Sequence, residues 1–247
     1  MDKIKLKYNL ELAKILNNAY NPEKAQILAR FFKTGAGQYG EGDKFLGISM
    51  PSLHHLSKSW AEMSDKALEE LLVSPYHEIR MLGALIMVLR YQAAKTDLAK
   101  SKAMKFYLQH RTSLNNWDLV DVTAPKVWGD YLTTHVFARK DLYKFARSKN
   151  LWERRLAMVA CYALIRNNDF KDTIALSLLL LNDQEDLMHK AVGWMLRELG
   201  KRDVKLLTKF IIENGARMPR TCLRYAIEHF SKEERQKYLQ IKYQSRN

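Results

Sequence analysis

The chain has 247 residues, of which 47% are hydrophobic and 28% charged; this is a globular composition, and it excludes a disordered chain. Only 10 Gly and 5 Pro are present, too few for the many turns of an all-β chain of this length. The 41 Lys+Arg against 27 Asp+Glu leave a net charge of +14, which points to polyanionic partners, nucleic acid ahead of an anionic membrane, and says nothing about the fold.

Met1–Lys7 contains no apolar signal core. The apolar stretches Met81–Leu89 and Leu156–Ile165 end at Arg90 and Arg166, well short of the roughly 18 residues that a bilayer crossing requires, so the cytoplasm is the expected compartment. Cys161 and Cys222 stand in apolar helical contexts, where neither a disulfide framework nor a zinc site is expected.

In chain order, the elements predicted are helices. Leu12, Ile15, Leu16 and Ala19 recur at helical spacing. Asn21-Pro22-Glu23 reads as an N-cap, a first-turn proline and a first-turn acid. Met50-Pro51 repeats the start signal, Ser64 caps a helix over Asp65–Val73, and Ser74-Pro75 opens a long helix through about Ala94. Asp183 is the expected cap of a helix that runs to Leu199 and stops at Gly200. Met218-Pro219 begins another, and Ser231-Lys232-Glu233-Glu234 has the pattern of a capping box. No run of β-branched residues between turns interrupts this series.

A weak repeat underlies it. Ile79–Leu85, Arg154–Ala160 and His189–Met195 each place a basic residue before an apolar, small-residue helix. The anchors Arg80, Trp117, Arg155, Lys190 and Arg224 follow one another at about 34–38 residues, an interval that suits stacked two-helix repeats of the HEAT or armadillo kind. The fold class predicted is therefore an all-α solenoid, a single domain over 1–247, with a concave basic groove. A basic residue recurring at one repeat position either lines such a groove or serves packing and a solvated face.

Three segments carry candidate chemistry. Gly35-Ala36-Gly37-Gln38-Tyr39-Gly40 has the spacing of a dinucleotide fingerprint, but that motif needs a strand before it and a helix after it. Helix precedes it here, so no nucleotide cofactor is expected. Five of the ten glycines fall within Gly35–Gly47, making 34–44 a flexible loop. Tyr39 and Lys44 in it can touch a phosphate backbone or merely connect helices. In Asn115–Asp121, Trp117 and Asp121 are one helical turn apart and share a face. They form either an aromatic plate beside a carboxylate or a core Trp with first-turn acids, the latter a strong explanation for Asp118 and a weaker one for Asp121. In Gly193–Glu198, Trp194 and Arg197 are neighbours in the same way.

These segments, together with Asn21–Ala25, Phe45–Ile48 and Leu151–Arg155, resemble in order and over nearly the whole chain the AlkD-type DNA glycosylases, which are DNA alkylation repair enzymes of HEAT-like repeats. Trp117-x-x-x-Asp121 and Gly193-Trp194-x-x-Arg197-Glu198 are the most specific parts. The resemblance implies that Trp117, Asp121, Arg155, Trp194 and Arg197 line a groove at the lesion, with Asp121, Trp117 and Trp194 in the catalytic part and Arg155, Arg197, Lys190, Lys44 and Tyr39 toward DNA. It implies release of cationic N3- or N7-alkylpurines from double-stranded DNA by a monomer with no cofactor and no metal, the lesion staying stacked. Phe31 stands where the best-known members have Tyr, and the loop Thr34–Lys44 is longer. Two other classes are compatible with the composition: a non-catalytic reader of distorted DNA, which needs no Asp121, and a scaffold for an acidic protein partner. Asp121 together with both tryptophans favours the enzyme.

Overall fold

The computed structural model describes residues 4–242, so Met1–Lys3 of the segment read for a signal core lie outside the described residues. Helices make up the architecture and no strand forms among the described residues. The only pairing of β type there is a bridge between Lys44 and Tyr76. The chain divides into two compact units, Met1–Thr123 and Ala124–Asn247.

The first unit contains α1 (Leu10–Asn18), α2 (Pro22–Phe31), α3 (Met50–Ser59), α4 (Asp65–Leu72), α5 (His77–Ala93), α6 (Asp97–Gln109) and α7 (Trp117–Thr123). Local chemistry sets their starts. Asn21 caps Lys24 N with Pro22 at the first position, Ser49 caps Ser52 N, and Ser64 caps Ala67 N, each satisfying a backbone donor that has no partner inside its helix. α5 is apolar nearly all round and buried for most of its length, as a helix at the centre of a bundle must be. It packs against α3, α4, α6 and α7. Its start differs from the sequence reading: the helix begins at His77 rather than at Ser74-Pro75. Backbone bonds from Lys44 N to Pro75 O (3.1 Å) and from His77 N to Lys44 O (2.8 Å) hold the intervening residues extended.

The second unit opens on a π-helical turn at Pro125–Gly129, where Gly129 N reaches back five residues to Ala124 O (2.8 Å). It continues with α8 (Asp130–Thr134), α9 (Lys140–Ala146), α10 (Leu151–Arg166), α11 (Lys171–Leu180), α12 (Asp186–Gly200), α13 (Val204–Asn214), α14 (Arg220–Ala226) and α15 (Lys232–Leu239). α10 and α12 are its two buried central helices, and α12 lies against α14. The approach is close enough that a Cβ on Gly193 would fall 2.5 Å from Cys222 O. Ser231 and Glu234 form the reciprocal capping box. Asp183 does not cap α12: the helix starts three residues later, at Asp186, and the Asp183 carboxylate accepts from Glu185 N at 3.0 Å and from Arg154 at 2.6 and 3.0 Å. Cys161 and Cys222 are buried free thiols, and burial pushes that of Cys161 up to about 12.

The three segments that the repeat aligned fall at equivalent places, in the opening turns of α5, α10 and α12. The all-α, helical-repeat class read from the sequence is the class the chain adopts. No helix among the described residues is long and apolar enough to cross a membrane.

Candidate functional site

α7 starts where Asn116, fully buried, accepts a hydrogen bond from Trp117 N at 2.8 Å. Leu119, Val120 and Thr123 face the interior, and the Thr123 hydroxyl bonds the buried Tyr107 hydroxyl at 2.8 Å. Trp117, Asp118 and Asp121 remain half-buried along the other edge. Trp117 packs into the interior without being fully buried. One face stacks on Phe32 at 5.4 Å as part of a small core with Phe45, and its ring meets Phe31 edge-on at 6.0 Å. Phe31 itself is 61% exposed. Asp121 lies one turn along the same face, as helical geometry requires.

Asp118 has a partner that sequence reasoning missed. Its carboxylate meets His77 Nε2 at 2.9 Å, while His77 Nδ1 meets Asp43 at 3.2 Å. Asp43 in turn accepts from Arg80 Nη2 at 2.6 Å and from Asn116 Nδ2 at 3.3 Å. Arg80 is thus a buried packing residue that also donates to Ser74 O at 2.8 Å. Burial works against a charged His77, but its hydrogen bonds to Asp118 and Asp43 outweigh burial and hold it protonated, with a pKa raised to about 9. For Asp43, burial raises the pKa, and the His77 bond and the Arg80 charge overcome it, keeping the carboxyl below its ordinary value. The local signal was three ionisable residues, His77, Glu78 and Arg80, at the head of an otherwise apolar helix.

Glu78, also buried, accepts from Leu46 N at 2.9 Å and Gly47 N at 2.7 Å. This binds the segment after the glycine-rich loop to α5. Gly47 is needed there: its φ is +78°, and a Cβ would lie 2.3 Å from Asn21 O. The loop itself is a series of turns, with Gly40 N bonded to Lys33 O (3.2 Å) and Gly37 N to the Glu41 carboxylate (2.8 Å). It follows α2, not a strand, and leads into an extended segment, so the dinucleotide geometry is not formed. Lys44 is exposed, and Tyr39 is half-buried with its hydroxyl 3.5 Å from Phe31 O. A cavity of about 400 Å³ opens beside this region, lined mostly by apolar side chains such as Phe31, Phe45 and Leu53, with His77 and Asp118 among its walls.

In the second unit, Trp194 is half-buried on α12 with the Tyr162 ring 6.1 Å away. Arg197, one turn on, pairs with Glu228 and with Glu198 at 3.3 Å. Lys190 pairs with Asp186 at 2.9 Å across one turn. Arg155 is 5% exposed and donates to Leu187 O at 2.5 Å, which ties α10 to the first turn of α12, so of the two roles the sequence left open Arg155 carries packing.

Residues 12–230 match the DNA alkylation repair enzyme family. No curated protein matches the chain. Among solved structures, one described as a predicted DNA alkylation repair enzyme from Enterococcus faecalis superposes with a TM-score of 0.67 at 18% identity, covering 86% of this chain and 97% of that one; at that identity the likeness is one of fold. With the family matched over most of its length, on helices whose edges carry Trp117 and Trp194, the chain belongs to the DNA alkylation repair enzyme family.

Proposed function

We propose that this protein is a DNA glycosylase that hydrolyses the N-glycosidic bond of cationic N3- and N7-alkylated purines in double-stranded DNA. The observation that carries the reading is the edge of α7, where an aromatic plate and a carboxylate stand one turn apart in a member of a DNA alkylation repair family. Alkylation leaves the base positively charged, so when the bond from C1′ to the base breaks, the electron pair departs with a purine that becomes neutral. No general acid is required. What must be supplied is stabilisation of the oxocarbenium-like sugar and an oriented water whose oxygen bonds C1′ and whose proton is taken up. Asp121 fills both parts. Asp118, the other carboxylate of this edge, is bonded to His77 and belongs to the buried network. Trp117 and Trp194 pack against the sugar–phosphate backbone, their π-faces favouring nearby positive charge. Arg197, Lys190 and Lys44 contact phosphates, with Tyr39 beside them. Arg155 acts from behind, holding the α12 turn that bears Lys190.

The test is single-turnover release of 7-methylguanine by the wild type and Asp121→Asn, with affinity for undamaged DNA measured in parallel. Asn keeps the shape and loses the charge, so the rate is expected to fall by roughly 10²–10³, with binding little changed, by analogy with removal of one preorganised electrostatic contact. Equal rates would remove Asp121 from the chemistry. DNA binding without base release by either protein would make this a non-catalytic reader of damaged DNA.

A further inference from the structure

The chemistry above makes no use of the buried cluster around His77. The His77 side chain is 3% exposed, and both its ring nitrogens meet carboxylates, Asp43 at 3.2 Å on one side and Asp118 at 2.9 Å on the other. A ring that bonds carboxylates through both nitrogens must donate an N–H at each, so it is an imidazolium. Its surroundings suit that charge. Phe45 stacks on it and Phe32 lies tilted over it, each with ring centroids 4.8 Å away, and aromatic faces attract cations. The charged groups around it are Asp43 from the loop, Asp118 from α7, and Arg80 and Glu78 from α5. Arg80 is paired with Asp43, and Glu78 is directed to Leu46 N and Gly47 N.

The connectivity is what matters. Asp43 closes the glycine-rich loop, His77 opens α5, and Asp118 is the second residue of α7, directly after Trp117. Trp117 stacks on Phe32, the same ring that covers His77. The orientation of α7 is therefore set from one side by the aromatic stack and from the first turn by an ion pair.

We infer that His77 is a positioning residue: by bonding Asp43 and Asp118 together it locks the first turn of α7 to α5 and the loop, and so fixes the bearing of Trp117 and Asp121. This rests on the reading of α7 as the helix that carries the chemistry. A displacement of about 1 Å at a reacting group costs on the order of 10²-fold in rate, so a loosened first turn lowers turnover without removing any phosphate contact.

Two readouts test it, one of them independent of activity. The indole N–H resonance of Trp117, assigned by its loss in Trp117→Phe, reports the helix directly. In the wild type it is expected to shift in one step as pH rises through about 9, and Asp118→Asn is expected to abolish the step. His77→Gln, which retains one donor and loses the charge, is expected to lower single-turnover base release by about tenfold or more while the Kd for undamaged DNA stays within about twofold. An indole resonance unmoved by pH, by Asp118→Asn and by His77→Gln would overturn the inference. So would a shifted resonance with an unchanged rate in an enzyme that releases base. If His77→Gln does not fold, the wild-type titration and Asp118→Asn decide. If even the wild type releases no base, the glycosylase reading fails, and the resonance still decides whether His77 sets the geometry of α7.

Discussion

Trp117 and Trp194 stand in similar sequence settings, each half-buried on a helix with charged residues one turn or less away, yet the two units hold them by different physics. Around Trp117 the charges are interior: Asp43 and His77 have side chains only 6% and 3% exposed, and Arg80 closes the network. Around Trp194 the network opens to the surface: Arg197 pairs with the largely covered Glu198 and with Glu228, whose side chain is 52% exposed. A buried ion pair broken at one end leaves a charge without a partner and costs several kcal/mol, whereas a surface pair contributes between zero and about 1 kcal/mol. The first arrangement keeps a helix from moving. The second leaves one end of the pair in solvent, so under the proposed function exchanging Glu228 for a phosphate costs little.

Asp43 holds the interior network at two points, bonding both His77 and Arg80. Asp43→Asn leaves His77 and Arg80 short of a counter-charge, and urea unfolding should show a loss of about 3–5 kcal/mol; a loss below about 1 kcal/mol would place the network with the surface pairs. Its second signature is in pH. The folded pKa of His77 is raised from 6.5 to about 9, so its stabilisation is fully present below the unfolded value and is lost as pH rises through the folded one. The thermal midpoint should therefore decline as pH rises from 6.5 to about 9 in the wild type, and His77→Gln should lose that component.

Smaller effects sharpen the other half. Arg197→Ala should change stability by no more than about 1 kcal/mol, yet should reduce the log–log salt slope of DNA binding by about one. Glu228→Gln should tighten DNA binding by up to about fivefold, the free-energy equivalent of one surface pair, because Arg197 then keeps only Glu198 as a competing anion. Fluorescence anisotropy across a salt series measures both. A weaker complex in Glu228→Gln would show that the pair positions Arg197 rather than restrains it.

Some of this site was legible in the residues alone. A spacing of four places Trp117 and Asp121 on one helical face wherever the helix packs. The glycine motif could be set aside because the residues before it already read as helix, and α2 does precede it. Arg80 and Arg155 show the limit. Their recurrence was visible, but recurrence at one repeat position serves packing and ligand binding equally well; burial of both residues decides for packing at these positions. The start of α5 failed for a related reason. Ser74-Pro75 is a competent start signal, and a backbone bridge from Lys44, distant in sequence, overrode it.

The sequence by itself determined the helical class, most of the caps, the repeat interval and the pairing of aromatic and charged residues one turn apart, because each depends on neighbours within about one turn of chain. Which charges are interior depends on packing between segments far apart in the chain. His77 finds Asp43 and Asp118 across 34 and 41 residues, and Glu78 reaches Leu46 N and Gly47 N across 32 and 31. No local rule specifies such contacts, because a carboxylate and an imidazole become strong partners only where packing removes the water between them and lowers the dielectric around both.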